Sequence, residues 1–410
     1  MQRTIAIVAT LDTKAAEVAY IRDLIEARGH RALVFDAGVL GEAPFAPDVT
    51  RDAIARAAGM SIEEVRGLPN EGQAIFIMAE GAARVVRGLY DEGRLDAILG
   101  VGGSMGTSLG LAAMRALPVG VPKLMVSTIG FSPLVTPDAV AKDQVMMQVP
   151  VDLYGLNAIN RHSLDAAAAA ICAMAEGAGK IVVAKPLVAV TTRGIMHYLQ
   201  WIKPALETRG YEVVVIHAVG TVGGGTFEDL VRQGLFSVVL DLCTGEVIEE
   251  LNGGALRAGP GRLEAAGEMG IPQIVAPGCM EFFHWPGPSE TAPPDRKVHI
   301  HNPLVVGVKA TAQEMVAAAE VMAQKLNRAK GPVKVLIPLL GWDLHDQPGH
   351  VFHDPEGRAA FLDTLKRCLH PRVELMELNC HINDQPFAEA VLQVLDKTLA
   401  ISSTNFLDPT

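Results

Sequence analysis

A chain of 410 residues is longer than one hydrophobic core usually serves, so two domains are expected. Hydrophobic residues at 49% and charged residues at 20% exclude a disordered chain, and a formal charge of -11 without a basic stripe argues against nucleic acid or an anionic membrane as partner. No run of about 18 apolar residues appears, Asp12 and Lys14 interrupt the start too soon for a signal peptide, and the five cysteines form no CxxC pair; a soluble, cytoplasmic protein with reduced thiols is expected.

In chain order, the apolar run Thr4–Ala9 meets turn residues, then an amphipathic stretch from Ala15 to Arg28 closed by Gly29, then Arg31–Asp36. That is a β-α-β unit. Residues 50 to 92 are helical in pattern: Thr50–Ala58, a short piece after Ser61, and Glu71–Glu92. Asp96–Val101 is apolar throughout, as strands buried in parallel sheets are, and feeds Gly102-Gly-Ser104 and a helix from about Thr107 to Leu117. Pro122–Ser127 is the next strand. An Ala-rich helix, 164–176, and Gly177-Ala-Gly-Lys180 mark the boundary between residues 1–178 and 179–410.

A second alternation follows. Strands are expected at Leu187–Thr192, Glu212–Ile216, Ser237–Leu242, Gln273–Ala276, Val333–Leu339 and Val373–Glu377. Helices are expected at Met196–Arg209, Phe227–Gln233, Thr311–Asn327, Glu356–Leu369 and Gln385–Leu399. The pattern predicts an α/β protein of two Rossmann-like, doubly wound domains with mostly parallel sheets. Such sheets bind ligands at the carboxyl ends of their strands.

Gly100-Val-Gly-Gly-Ser-Met-Gly-Thr-Ser108 therefore carries the most information. Glycines between a buried strand and a helix aim backbone N–H groups and the helix dipole at one point, which suits phosphate. Gly102, Gly103, Ser104, Gly106, Thr107 and Ser108 are the expected contacts; the Gly-Lys-Ser/Thr ending of a Walker loop is absent. Thr10, Asp12, Thr13 and Lys14 end the first strand on the same rim. There Thr13 or Asp12 also suits a helix cap, and Lys14 opposes the helix dipole unless it meets an anion. Ser127-Thr128 and Lys142-Asp143 are further candidates for this pocket.

In the second half, His217 to Thr226 follows a strand and opens a helix, a second candidate anion cradle with Thr221, Gly224 and Gly225. Thr192 and Arg193 end the neighbouring strand, where Arg193 could clamp a carboxylate or phosphate through two nitrogens. Asp241 and Thr244 end a third. Ten of the twelve histidines lie beyond residue 190. His299 and His301, on one face if extended, suit three readings: zinc or another divalent ion with Glu281, His284 or Asp241; contact with a polar substrate; or the ordering of a loop. Asp343 to Asp354 is dense in ionisable groups, as a loop covering a site would be. Cys279 follows a strand and is either a nucleophile or a buried bystander.

Gly102–Leu109, Asp152–Arg161, His217–Gly225, Lys297–Asn302 and Leu344–Gly349, in that order along the chain, resemble the Tm-one-like family, related to the inhibitor domain of a plant tobamovirus-resistance protein. The resemblance implies an ATP-binding N-terminal domain and a second Rossmann-like domain. It carries ATP contact onto Gly102 to Ser108 and onto Thr10, Asp12, Thr13 and Lys14. The expected function is an ATP-binding protein, with magnesium on the phosphates, acting as an enzyme on a small anionic metabolite held between the domains by Arg193, His217, Thr221, His299 and His301. Two alternatives stand beside it: a non-catalytic ATP-binding module working through a protein partner, and a metal- or histidine-dependent hydrolase or lyase with ATP as regulator. A homo-oligomer is expected.

Overall fold

The computed structural model describes residues 1–179, 181–302 and 305–404, so Lys180 of the expected boundary lies outside the described residues. The chain divides into two compact units, Met1–Ile181 and Val182–Thr410.

The first unit runs β1 (Thr4–Ala9), α1 (Leu11–Ala27), β2 (Arg31–Asp36), α2 (Arg51–Ala57), α3 (Ile62–Arg66), α4 (Glu71–Asp91), β3 (Ala97–Gly102), α5 (Ser104–Arg115), β4 (Lys123–Ser127), β5 (Val145–Gln148) and α6 (Ala158–Gly177). Its strands form a parallel sheet in the order β2-β1-β3-β4-β5. Side-chain alternation along β1 shows why the sheet needs helices on both faces. Ile5 and Ile7 pack with Val18 and Ile21 of α1 and Leu164 and Ile171 of α6. Ala6 and Val8 pack with Met78 and Ala82 of α4 and Leu109 and Met114 of α5. A strand buried on both faces reads as an unbroken apolar run.

The second unit runs β6 (Leu187–Thr192), α7 (Leu199–Thr208), β7 (Glu212–His217), α8 (Gly224–Arg232), β8 (Phe236–Asp241), α9 (Glu246–Leu251), α10 (Ala265–Met269) and β9 (Gln273–Val275). It continues with β10 (Phe282–His284), β11 (Val298–Asn302), β12 (Val305–Lys309), α11 (Ala312–Leu326), β13 (Val333–Pro338), α12 (Pro355–Cys368), β14 (Glu374–Leu378) and α13 (Gln385–Thr404). The parallel sheet has the order β14-β13-β9-β8-β6-β7. Val188 and Val190 face Ile202 of α7 and Val391 of α13, while Leu187 and Ala189 face Phe227 and Val231 of α8.

The α/β class and mostly parallel sheets match expectation. The antiparallel sheet β10-β12-β11 was not foreseen, nor were β5, α9 and α10. The helix after β3 begins at Ser104, three residues before the expected Thr107, which changes where several candidate side chains point. Among the described residues, no helix is long and apolar enough to cross a membrane.

Candidate functional site

In the first sheet β1 connects to β2 on one side, and the chain then returns to β3 on the other, so the switch in strand order falls between β1 and β3. Ligands of doubly wound sheets sit at that place, beyond the carboxyl ends. Helix α1 starts there directly after Thr10 and α5 directly after Gly103, and neither N-cap residue satisfies its helix with a side-chain bond. The Leu11 amide of α1 is taken by Asp36 and the Thr13 amide by the Thr10 carbonyl, so it is the dipoles of the two helices that serve one place. A cavity of about 920 Å³ occupies it, lined by Thr10, Asp12, Thr13, Lys14 and Gly103–Gly106. That size suits a cofactor-sized ligand.

The rim residues differ in freedom. Thr10 Oγ1 and Thr13 Oγ1 share a hydrogen bond of 2.7 Å. Asp12 accepts from the Leu40 N–H at 2.9 Å, and a Cβ on Gly38 would stand 2.8 Å from the same carboxyl, so the β2 loop closes over Asp12. The Lys14 ammonium donates to the Leu153 carbonyl. A Cβ on Gly103 would meet only Thr128 Oγ1, at 3.6 Å, which leaves its backbone open to a ligand. Ser104 and Met105 are exposed.

Three expected phosphate contacts are turned elsewhere. Gly102 is glycine for packing: its Cβ would stand 2.6 Å from Gly106 Cα, and this close fit lets α5 leave β3 at once. With α5 starting early, Thr107 lies a turn inside it, buried, with its hydroxyl bound to Ser127 Oγ at 2.7 Å. Ser108 lines a separate hollow of about 580 Å³ with Phe76 and Arg115. Ser127 also accepts from the Ile129 N–H, and Asp143 pairs with Lys123 at 2.7 Å, so both are structural. Asp36, at the end of β2, accepts from Leu11 and Gly38 amides and pairs with Arg51. The sequence reading missed the far wall, where Val39, Leu68 and Ile75 supply apolar surface and Arg66 a cation. The glycines after β2 and the Asn70 cap of α4 were its only signals.

The second sheet switches order between β6 and β8, and there the crevice is filled from within. Arg262 pairs with Asp241 at 2.5 and 2.7 Å, with Glu246 at 2.6 Å and with Glu228 at 3.3 Å, all buried. Burial opposes the Arg262 charge, and the three carboxylates outweigh it, holding the guanidinium charged. Thr191 Oγ1 donates to Asp241 at 2.8 Å. The expected cradle has its own anion: Gly220 and Gly224 N–H groups donate to Glu246 Oε1 at 2.6 and 3.1 Å. Thr221, Gly224, Gly225, Asp241 and Thr244, expected to contact a ligand, lie around this network, with Gly224 and Gly225 buried at the start of α8. Glu246 takes the place of the ligand, the Asp241 carboxylate is spent on Arg262, and the Thr221 and Thr244 hydroxyls bond the Arg257 and Ala276 carbonyls. Thr192 is buried, its hydroxyl on the Arg193 carbonyl.

In the antiparallel sheet, His299 and His301 of β11 lie 6.4 Å apart by ring centroid, and His345, from the loop after β13, has its ring 4.2 Å from His299, tilted by 42°. Burial first, then His299, His350 and His301, push His345 down to about 4. His217 is exposed at the end of edge strand β7, and the ring contacts joining the other three do not include it. Among the described residues, no three His, Cys, Asp or Glu side chains are placed to hold a metal ion. Burial and Cys243 push the Cys279 thiol well above its ordinary value, which opposes a nucleophile. Arg193, Glu281 and Asp343 are all buried; the last two were noticed in the sequence only as a possible neighbour of a metal and a member of a polar loop.

Residues 3–180 match the N-terminal domain, and residues 185–399 the C-terminal domain, of the uncharacterised protein family UPF0261. The chain belongs to this family. The UPF0261 protein of Clostridium tetani (strain Massachusetts / E88) is 40% identical over 405 residues, covering 96% of this chain and 98% of that protein. A UPF0261 protein of Brucella suis is 37% identical over 402 residues, covering 97% and 96%. The ToMV resistance protein Tm-1(GCR237) of Solanum lycopersicum is 35% identical over 355 residues, covering 83% of this chain and 45% of that protein. The motif resemblance thus meets UPF0261 as the family, with the tomato protein as a relative over part of its length. Among solved structures, the Streptomyces sp. SF2575 glycosyltransferase SsfS6 complexed with thymidine diphosphate shares 15% identity at a TM-score of 0.22, covering 68% of this chain and 82% of that one.

Proposed function

We propose that this UPF0261 member binds ATP in the first unit, its phosphates at the N-termini of α1 and α5 and its base toward Val39, Leu68 and Ile75. The observation that carries the reading is the convergence of two helix N-termini, neither capped by the side chain of its own N-cap residue, on one cavity of about 920 Å³ at the switch in strand order. Backbone amides and helix dipoles stabilise a polyanion without any one basic side chain. Lys14 and Arg66 in the lining add positive charge, and the apolar wall suits a purine. Asp12 would hold a magnesium ion on the phosphates: it is half-buried in the lining, and the Leu40 amide takes only its Oδ2. The resemblance noted in the sequence points to the same ligand.

Titration calorimetry with ATP, ADP and AMP, with and without magnesium, tests this. ATP is expected to bind most tightly, and at 100 times its Kd to add about 2.7 kcal/mol of stability. Ser104→Asp places a carboxylate in the first turn of α5, where the dipole favours it, so the fold survives while the phosphates are repelled. Absence of heat with all three nucleotides, or unchanged ATP affinity in S104D, overturns the proposal.

A further inference from the structure

The hollow of about 580 Å³ in the first unit lies between α4 and α5. Its lining draws on α4 from Gly72 to Ala83 and on α5 from Ser104 to Arg115, the whole length of the latter helix, about 18 Å at the ordinary rise per residue. Small side chains at Ala79, Ala83 and Ala112 leave the room. Two large apolar side chains stand in the lining without cover: Phe76 is 68% exposed and Met105 43%. Exposed apolar side chains grouped around a concavity mark a surface that a ligand or partner covers.

The charges in the lining do not balance. Glu80 is already paired with Arg84 on its own helix. The Arg115 guanidinium donates through Nη1 to the Ala139 carbonyl and, among the described residues, pairs with no carboxylate. Ser104 and Ser108 supply the only hydroxyls of the lining, which suits neither a sugar nor a phosphate. An apolar trough with one uncompensated cation suits a molecule that is apolar along its body and singly negative at one end. At its other end the hollow adjoins the nucleotide cavity, for Ile75, Ser104 and Met105 line both. Phosphates at the start of α5 would repel a second anion there and leave Arg115, at the far end of the helix, as its place.

We propose that this hollow binds an amphipathic monocarboxylate as the second ligand of the nucleotide site. Arg115 takes the carboxylate, whose two oxygens match the paired N–H groups of a guanidinium. Phe76 and Met105 cover the apolar body, and its far end lies at Ser104. That this far end meets a nucleotide rests on the reading above; the hollow, its exposed side chains and its lone cation do not.

The test is calorimetry on the full chain with octanoate, with and without ATP, octanamide serving as the uncharged counterpart. Octanoate is expected to bind saturably in both conditions and about tenfold more tightly than octanamide, the usual worth of a hydrogen bond to a charged group. Arg115→Gln should erase that preference while octanamide binds as before. Ser108→Phe fills the hollow from an exposed position and should abolish binding of both probes with ATP affinity unchanged; it decides the matter if R115Q fails to fold by circular dichroism. A chain that binds ATP but takes up no octanoate overturns this proposal alone. Octanoate binding that R115Q and S108F alter as stated, in a chain that gives no heat with ATP, upholds the hollow and overturns the nucleotide reading alone. Octanamide bound as tightly as octanoate, or octanoate affinity unchanged in either variant, also overturns the proposal. So does a dimer in sedimentation that Phe76→Asp dissolves, which would give this face to a second copy of the chain.

Discussion

Arg262 shows how much one side chain can hold in place. It faces Asp241, Glu246 and Glu228 in a region closed to water, and removing a member of such a group leaves the others charged and unpaired. Arg262→Met is expected to cost about 3–5 kcal/mol, read as a lower urea midpoint. Glu281 makes the opposite kind of demand. Its carboxyl in the folded chain lies well above the ordinary 4.5, so the unfolded chain gives up its proton first. The folded state then binds more protons, and stability falls as pH rises beyond that ordinary value. Glu281→Gln removes this contribution. Denaturation across the pH range should show the variant gaining on the wild type as the solution becomes more alkaline.

At the level of elements, the junction of β3 and α5 separates two uses of glycine. Gly102 has no room for a methyl group against Gly106 Cα, whereas Gly103 has open space. Gly102→Ala should destabilise the first unit by about 1–3 kcal/mol. Gly103→Ala should leave thermal stability near wild type and act, if at all, on nucleotide affinity, so the pair is checked by melting curves and calorimetry together. The sequence made this junction legible because a buried strand running into glycines has few other readings. It hid the start of α5, because glycine and serine read as loop until packing against β3 is known. The sheet β10-β12-β11 was illegible for a different reason: its strands span five residues or fewer, and Phe282–His284 is buried throughout, so no alternation shows. The carboxyls of Glu281 and Asp343 come together from loops 62 positions apart, a proximity that only the parallel sheet creates. Glu246 was invisible as an anion for the Gly220–Gly224 turn on the same grounds.

On the scale of the molecule, each unit has its own apolar core around its own parallel sheet. A fragment of residues 1–179 is therefore expected to fold and to keep the full chain's ATP affinity within a few-fold, as measured by calorimetry; a fragment that binds no nucleotide while showing native circular dichroism would contradict the placement of the site. The alternation of strands and helices made the two-sheet plan readable, since each sheet obeys one topology of parallel crossovers. What each sheet does at its mouth was not readable, since the same Gly-rich turn is open in one and shut in the other.

That shut mouth has a practical corollary. Glu246 acts as a stopper tethered to the chain, seated on the Gly220 and Gly224 amides. Glu246→Ala would pull the stopper and leave a socket shaped for a carboxylate, with Arg262 short of one of its three carboxylate partners beside it. Formate or acetate supplied from solution should then restore part of the lost melting temperature, as a dose-dependent rescue that chloride matches poorly and that the wild type does not show.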